Sequence, residues 1–354
     1  MKCEAVAVLP QKRYRIDTPI TQGIFADTYQ GIDSVSQQPV VISTLAQTLV
    51  GHPDYDQFKD IFLNLAQRLT KCRHSHLVPI LDSGEKDGQP YLVSPLIPGK
   101  TLAQYVESTQ LPSLEQALIW IEQIAVGLMV LHAAGLKHQD LNPNNIILCE
   151  GSNEVVLINC CLTDEFSPQI RQTRANLSAS SYLAPEYYDS QALISNAADI
   201  YSLTGIFYYL ITGDAPPPAP LREFLAFSEW QRLPKNLSPG IRRMIVQGLA
   251  RSPQKRPQTL DQWLSLSLPT ESQMSGRKSR ENLRLTNAAP FPLTALFLTS
   301  AIAGSAGVGF GLAFRLQRPT EAGSTILHSD QSFPPRNNWP ISGTDLFLQE
   351  DSDR

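Results

Sequence analysis

The chain has 354 residues, enough for one large domain or two ordinary ones with additional segments. Hydrophobic residues make up 42% of it, which is typical of a globular protein, and a formal charge of −4 gives no indication of a nucleic-acid partner. The five cysteines are scattered, with no C-x-x-C spacing, which argues against a zinc site or a disulfide framework and favours a reducing compartment. Residues 1–10 lack the pattern of a secretory signal.

The N-terminal part of the chain has the pattern of a small β-sheet with one helix. Alternating apolar residues around a glycine predict a two-stranded hairpin over Arg13–Gly31, and Pro39–Ser43 predicts the next strand. Apolar residues at helical spacing predict a helix over Tyr55–Lys71. Two more strands are predicted at Leu77–Asp82 and Pro90–Pro95.

A polar motif follows a long amphipathic helix predicted at Ser113–Gly135. His138–Leu148 reads H-Q-D-L-N-P-N-N-I-I-L and resembles the catalytic loop of the protein kinases, H-R-D-L-x-x-x-x-N. The resemblance implies that Asp140 accepts the proton of a substrate hydroxyl and that Asn145 binds Mg²⁺. The alternative is a helix-to-strand connection with incidental polar residues.

Further stretches resemble the same family in the same order. Ser181–Glu186 ends in Ala-Pro-Glu, the signature that closes the kinase activation segment. Arg251–Pro257 is similar to the segment whose arginine pairs with that glutamate, which implies a structural pair between Arg256 and Glu186. Ala198–Gly213 is similar to the central helix of the larger kinase lobe.

The resemblance implies a fold and its boundaries. The expected fold is α+β and two-lobed, with a small β-rich N-lobe over 13–95 and a larger helical C-lobe over 96–268. Several separate stretches agree in order and spacing, which no single motif could provide.

The predicted nucleotide site departs from the family pattern at several positions. Of the three glycines in the glycine-rich loop only Gly23 is present, and Ser43 stands where the phosphate-binding lysine belongs. Leu65 stands where the helix carries the glutamate that pairs with this lysine, with one turn of uncertainty. The joint loss indicates an apolar contact in place of the ion pair, since a lone buried charge would be costly.

The metal side of the predicted site and the predicted hinge differ as well. Asn159 replaces the aspartate that binds Mg²⁺, and an uncharged amide is a poorer ligand for a hard cation. Cys160 and Cys161 replace the phenylalanine and the glycine that follow this aspartate in the family's D-F-G motif. Two buried thiols are the simpler interpretation, and a redox pair is the alternative. The resemblance places the hinge between the lobes at Pro95–Pro98. Its two prolines have no N–H to donate, so adenine would bond to the backbone of Leu96 or Ile97.

Two functions are compatible with this pattern. The prediction is a pseudokinase that acts as a signalling scaffold or as an allosteric partner of another protein, in which binding of ATP and Mg²⁺ is impaired. The alternative is an active serine/threonine kinase that transfers the γ-phosphate of ATP to protein hydroxyls with Asp140 as base.

The C-terminal part has the pattern of a membrane anchor. Residues 293–314 carry no charge and are long enough to cross a bilayer, which predicts a transmembrane helix. The polar linker 269–292 has an excess of Arg and Lys, which predicts a single-pass protein with the kinase-like domain in the cytoplasm. Residues 315–354 read as a largely disordered tail on the opposite side.

The predicted span also contains small residues at four-residue spacing, at Ala303, Gly307 and Gly311. A stripe of this kind allows two membrane helices to pack together, so a homodimer is one of two equally compatible interpretations. An ordinary glycine-rich helix is the alternative.

Overall fold

The structure is a computed structural model that describes residues 13–23, 25–108, 111–160, 181–224 and 233–268. All of them belong to one compact unit, Met1–Leu285. The predicted linker 269–292, span 293–314 and tail 315–354 lie outside the described residues, as does Cys161. Among the described residues one helix, Leu114–Ala133, is long and apolar enough to cross a membrane, and it packs in the core of the larger lobe.

The N-lobe is a five-stranded antiparallel sheet of β1 Tyr14–Gln22, β2 Ala26–Asp33, β3 Pro39–Leu45, β4 Asp82–Lys86 and β5 Gln89–Pro95. The strand order is β1-β2-β3-β5-β4. An ion pair links the two edges of the sheet, because Arg13 beside β1 lies 4.0 Å from Asp82 at the start of β4. One face of the sheet carries a small apolar cluster of its own, which includes Tyr14 and Tyr91.

Helix α1, Tyr55–Leu69, packs against this sheet and confirms the helix predicted from periodicity. Its buried residues recur at helical spacing and join the main apolar core. These residues are Phe58, Phe62, Leu65, Ala66 and Leu69.

The strand predicted at Leu77–Asp82 was placed too early, since β4 begins only at Asp82. Pro79 has no N–H to donate to a strand ladder. The residues before it bond to the other lobe instead: Val78 N–H donates to the Leu157 carbonyl at 2.9 Å, and Leu157 N–H donates to the His76 carbonyl at 3.0 Å. This segment therefore joins the two lobes.

The C-lobe is mainly helical. Its elements are β6 Gly99–Thr101, α2 Leu102–Ser108, α3 Leu114–Ala133, β7 Ile146–Cys149, β8 Val155–Leu157, α4 Ala197–Thr212, α5 Pro239–Gly248 and α6 Leu260–Ser265. The three strands form a sheet of order β6-β7-β8 at the cleft. The central helix, α4, is buried on nearly all sides and packs against α3. Helices α3, α5 and α6 each begin at a Ser or Thr whose hydroxyl accepts a backbone N–H of the first turn.

Strand β8 ends at Leu157, two residues before Asn159. Asn159 has a φ of 56°, in the left-handed region, so the backbone leaves the extended conformation there. Asn tolerates this conformation better than most residues, because its short polar side chain bonds locally.

Candidate functional site

The motif around Asp140 forms a loop between α3 and β7, and Asp199 of α4 anchors this loop through hydrogen bonds to its backbone. The Asp199 carboxylate is 1% exposed and accepts the backbone N–H groups of His138 and Gln139 at 2.9 and 3.0 Å. It also accepts the Nε2–H of His132 at 2.8 Å. Burial opposes ionisation of Asp199, but the hydrogen bonds from His132 and His138 outweigh it and lower the pKa of this carboxyl below its ordinary value.

Sequence reasoning did not identify Asp199 or His132 as supports of this loop. Asp199 lies more than 60 residues along the chain from both His132 and His138, so no local sequence pattern connects these residues. The signal that could have found Asp199 is its acidic side chain in the first turn of an otherwise strongly apolar helix.

The structure brings the three predicted polar site residues Asp140, Asn145 and Asn159 together in one chain of hydrogen bonds. The Asn145 Nδ2 donates to the Asp140 carbonyl at 2.8 Å and to its Oδ2 at 2.9 Å. The Asn159 Nδ2 donates to the Asn145 Oδ1 at 3.1 Å. The oxygen with which Asn145 would bind a cation is therefore already paired with an amide.

Ser43 and Asn159 line one cavity in the cleft between the lobes. Its volume is about 40 Å³, room for a few water molecules. None of its lining residues is charged. The walls combine small polar side chains with aliphatic ones: Ser43, Leu69, Leu77, Val78, Ile80, Leu92, Ser94, Asn159 and Cys160.

The α1 residues that face β3 are apolar, as predicted from the joint loss of the ion pair. Leu65 is 5% exposed within the main core. Leu69, one turn further along α1, lines the cavity with Ser43. Aliphatic side chains of α1 therefore stand where the family has the glutamate of a lysine–glutamate pair, and both Leu65 and Leu69 are candidates for that position.

The β1–β2 hairpin is closed by its own hydrogen bonds. The Gly23 N–H lies 3.1 Å from the Ala26 carbonyl oxygen and 3.2 Å from the Asp27 Oδ1, and both accept from it. A Cβ on Gly23 would lie 2.6 Å from that carbonyl oxygen, so the turn requires glycine whether or not a phosphate approaches it.

At the predicted hinge the two backbone groups singled out from the sequence differ. The Leu96 N–H donates to the Pro39 carbonyl at 3.2 Å, so the protein already uses it. The Ile97 N–H donates to no described residue. Ser94, at the entrance to the hinge, is 8% exposed and lines the cavity.

The structural pair predicted between Glu186 and Arg256 is present and buried. Two hydrogen bonds of 2.7 Å join the guanidinium to the two carboxylate oxygens. Arg256 also donates to the carbonyls of Ala197, Ala250 and Arg251, and lies 4.8 Å from the centroid of the Tyr201 ring. All donors of this buried cation are engaged, which allows it to remain charged in the core.

No cluster of three or more His, Cys, Asp or Glu that could hold a metal ion occurs within the described ranges. In the hydrogen-bond chain of the candidate site, Asp140 supplies the carboxylate and Asn145 and Asn159 supply amides, a donor set with less negative charge than divalent cations prefer.

Comparison with known proteins gives the family. The sequence profile of the protein kinase domain matches residues 14–266. The chain is 30% identical over 252 residues to the serine/threonine-protein kinase PknE of Mycobacterium bovis, covering 69% of this chain and 43% of PknE. It is 28% identical over 264 residues to PknA of Mycobacterium tuberculosis, covering 71% of this chain and 59% of PknA. The match thus spans less than two thirds of either relative.

Solved structures show the same fold. The apo form of PpkA-294 superposes with a TM-score of 0.58 at 22% identity, covering 75% of this chain and 99% of that one. The kinase domain of Mycobacterium tuberculosis PknI superposes with a TM-score of 0.56 at 19% identity, covering 74% of this chain and 98% of that one. Together with the profile match over most of its length, this shows that the chain belongs to the protein kinase family, in its bacterial serine/threonine type.

Proposed function

We propose that this protein is a membrane-tethered pseudokinase, a kinase-like domain that acts as a scaffold or allosteric partner of another protein. The observation that carries the proposal is the amide pair at the metal position. The Asn159 Nδ2 donates to the Asn145 Oδ1 at 3.1 Å, where the family has a carboxylate and an amide that share Mg²⁺. Two paired amides bring no negative charge to a cation.

The phosphate side supports the same proposal. Phosphoryl transfer depends almost entirely on positioning and on charges that stabilise the transferred group. Ser43 cannot supply the charge of a lysine, and the α1 residue that lines the cavity with it, Leu69, is aliphatic. Each lost electrostatic contact costs about 3 kcal/mol of transition-state stabilisation, and each 1.36 kcal/mol corresponds to about tenfold in rate. Loss of the lysine and the aspartate together leaves very little turnover.

One observation favours the second candidate, an active serine/threonine kinase. Asp140 is held in its loop by Asn145, and the loop is anchored by Asp199, so the base is positioned for a substrate hydroxyl. The named relatives PknE and PknA are serine/threonine-protein kinases. The same hydrogen bonds also stabilise the loop as a structural element, which accounts for Asp140 in a pseudokinase.

A phosphoryl-transfer assay on the full-length chain separates these functions. The chain is incubated with Mg²⁺, γ-labelled ATP and a hydroxyl-rich protein substrate, with Asp140→Asn as the matched control. We expect the wild-type chain to transfer no more label than Asp140→Asn. Transfer that depends on Asp140 would contradict the proposal.

A double substitution, Ser43→Lys with Asn159→Asp, locates the defect. Label transferred by this variant, and lost again when Asp140→Asn is added, would place the defect in the two substituted positions. If the double variant stays inactive, the cleft differs from an active kinase elsewhere too, as the leucines of α1 suggest.

The membrane tether is a separate part of the proposal and has its own support. Residues 293–314 form an uncharged run of 22 residues, and the basic excess of 269–292 places the kinase-like domain on the cytoplasmic side. We expect the full-length chain to stay with membranes after alkaline extraction and a variant lacking 293–314 to be released. Release of both would remove the tether from the proposal.

A further inference from the structure

The chain leaves the C-lobe beside the first turn of α5. The Arg243 guanidinium donates to the carbonyl oxygens of Leu266 and Leu268, at 3.4 and 3.2 Å. A Cβ on Gly240 would clash with the Ser267 carbonyl oxygen, so the backbone that follows α6 runs directly over this turn. The linker 269–292 therefore starts next to α5.

Helix α5 presents a basic and apolar side to solvent. Its buried residues face the core, whereas Arg242 and Val246, four residues apart, share the exposed side. Lys235, in the segment that leads into the helix, is exposed as well. Leu268, where the chain leaves the lobe, is 62% exposed. These four residues are called the α5 surface below.

The segment that contains α5 is strongly basic. Residues 233–260 contain six Lys or Arg and no Asp or Glu, although acidic residues outnumber basic ones in the whole chain by 33 to 29. Arg256 is buried in its ion pair, whereas Lys235 and Arg242 are exposed. The acidic residue of α6, Asp261, lies in the first turn, at the end of the helix away from the linker. The α5 surface therefore fits an anionic partner.

The linker indicates which anionic partner this is. Its 24 residues, 269–292, join Leu268 to the predicted span 293–314. A chain of this length reaches about 80 Å when fully extended, so a tethered C-lobe stays close to the bilayer. The cytoplasmic leaflet carries anionic lipids, and each Lys or Arg near its surface strengthens binding by about fivefold. The lipid surface is thus both near and of opposite charge.

We propose that the α5 surface docks onto the anionic headgroups of the membrane to which the chain is tethered. Lys235 and Arg242 pair with the headgroup phosphates. Val246 and Leu268 enter the boundary between headgroups and acyl chains, where exposed apolar side chains are favoured. The inference rests on the membrane tether of the proposed function, because the tether brings the lipid surface within reach.

The experiment is amide hydrogen exchange on the full-length chain, assembled with bilayer discs of phosphatidylcholine alone or mixed equally with phosphatidylglycerol. The test variant combines Lys235→Gln with Arg242→Gln. The matched control combines Lys71→Gln with Arg73→Gln, which removes two exposed basic residues at the end of α1. The readout is the exchange rate of α5 amides relative to α1 amides in the same sample, so that a loss of stability of the whole fold is recognised.

We expect the α5 amides of the wild-type chain to exchange more slowly in anionic discs than in neutral ones. The test variant should weaken docking by about 30-fold, from two contacts of about fivefold each, and so lose this protection. The control variant should keep it. Salt at about 1 M, where the Debye length is about 3 Å, should remove the protection from the wild-type chain.

Three results would overturn the docking surface. The first is equal exchange of α5 in both kinds of disc, and the second is protection that survives in the test variant. The third is protection in both kinds of disc that grows with chain concentration, which would identify a second copy of the chain as the occupant.

The same samples separate the docking surface from the tether. A chain that stays with both kinds of disc but shows no protection of α5 overturns the docking and leaves the tether standing. A chain that joins anionic discs alone, and fails to join them in the test variant, supports the docking and overturns the tether. A chain that joins neither overturns both. Phosphoryl transfer is measured independently, because the α5 surface contributes no residue to the cleft cavity.

Discussion

In the C-lobe, Arg256 and Glu186 are both buried and joined by two hydrogen bonds of 2.7 Å. In the cleft, the position of the phosphate-binding lysine is Ser43, and the two α1 residues that are candidates for the glutamate position, Leu65 and Leu69, are both aliphatic. The chain therefore has both residues of the family's buried arginine–glutamate pair and neither residue of its lysine–glutamate pair. Breaking a buried pair by removing one partner is far more costly than replacing both.

The comparison separates charges that serve the scaffold from charges that serve phosphoryl transfer. Glu186, Arg256 and Asp199 all hold segments of backbone or other buried groups in place. At positions 43 and 159 the family has a lysine that contacts the nucleotide phosphates and an aspartate that binds Mg²⁺. The chain keeps the first set, which stabilises the kinase fold, and it lacks the second set.

The largest expected effect is in the scaffold pair. Arg256→Ala should lower the free energy of unfolding by about 3–5 kcal/mol, because it leaves the Glu186 carboxylate buried without its partner. Urea unfolding of the full-length chain measures this loss. The neighbouring exposed residue supplies the control, since Lys255→Ala should cost less than about 0.5 kcal/mol. Equal losses in the two variants would show that the buried pair contributes nothing special.

A smaller effect is expected in the cleft, where a double-mutant cycle tests the apolar replacement. Ser43→Lys and Leu65→Glu should each destabilise the chain, because each buries a charge beside aliphatic groups. Together they should lose less than the sum, with a coupling of about 1–3 kcal/mol from the restored pair.

The matched cycle with Leu69→Glu decides which turn of α1 faces Ser43. Leu69 lines the cavity with Ser43, whereas Leu65 was aligned with the glutamate from the sequence. Thermal or urea unfolding measures the coupling free energy in each cycle. If only one cycle shows coupling, its leucine is the residue that faces Ser43. Strict additivity in both would mean that neither leucine stands in for the glutamate.

The smallest effect concerns acid stability of the N-lobe. The hydrogen bond from Arg13, with further bonds from Val35 N–H and Ser36, lowers the pKa of Asp33 from 3.8 to about 2. Because the folded pKa is the lower one, the stabilisation is complete above pH 3.8 and is lost as the pH falls through about 2. Asp33→Asn should remove this part of the acid dependence in unfolding measured against pH, and Asp17→Asn should not. An unchanged profile in Asp33→Asn would contradict the assignment.

Several elements followed directly from local patterns in the sequence. Helices α1 and α3 appear within two residues of their predicted boundaries, since their apolar residues recur at the helical period. The Glu186–Arg256 pair followed from two motifs in the expected order. Strand β4 did not follow from the sequence. It begins only at Asp82, because Pro79 has no N–H to donate and Val78 donates its N–H to Leu157 of the C-lobe.

What the sequence by itself determined is the two-lobed kinase fold and the loss of charged residues at positions 43 and 159, because both follow from residue identity and spacing. Only the tertiary structure decided where the remaining groups point. The Asn145 oxygen is paired with Asn159, the Asp199 carboxylate supports the loop around Asp140, and Phe25 is buried in the main apolar core. These contacts join residues distant in the chain, and burial, not local propensity, brings them together.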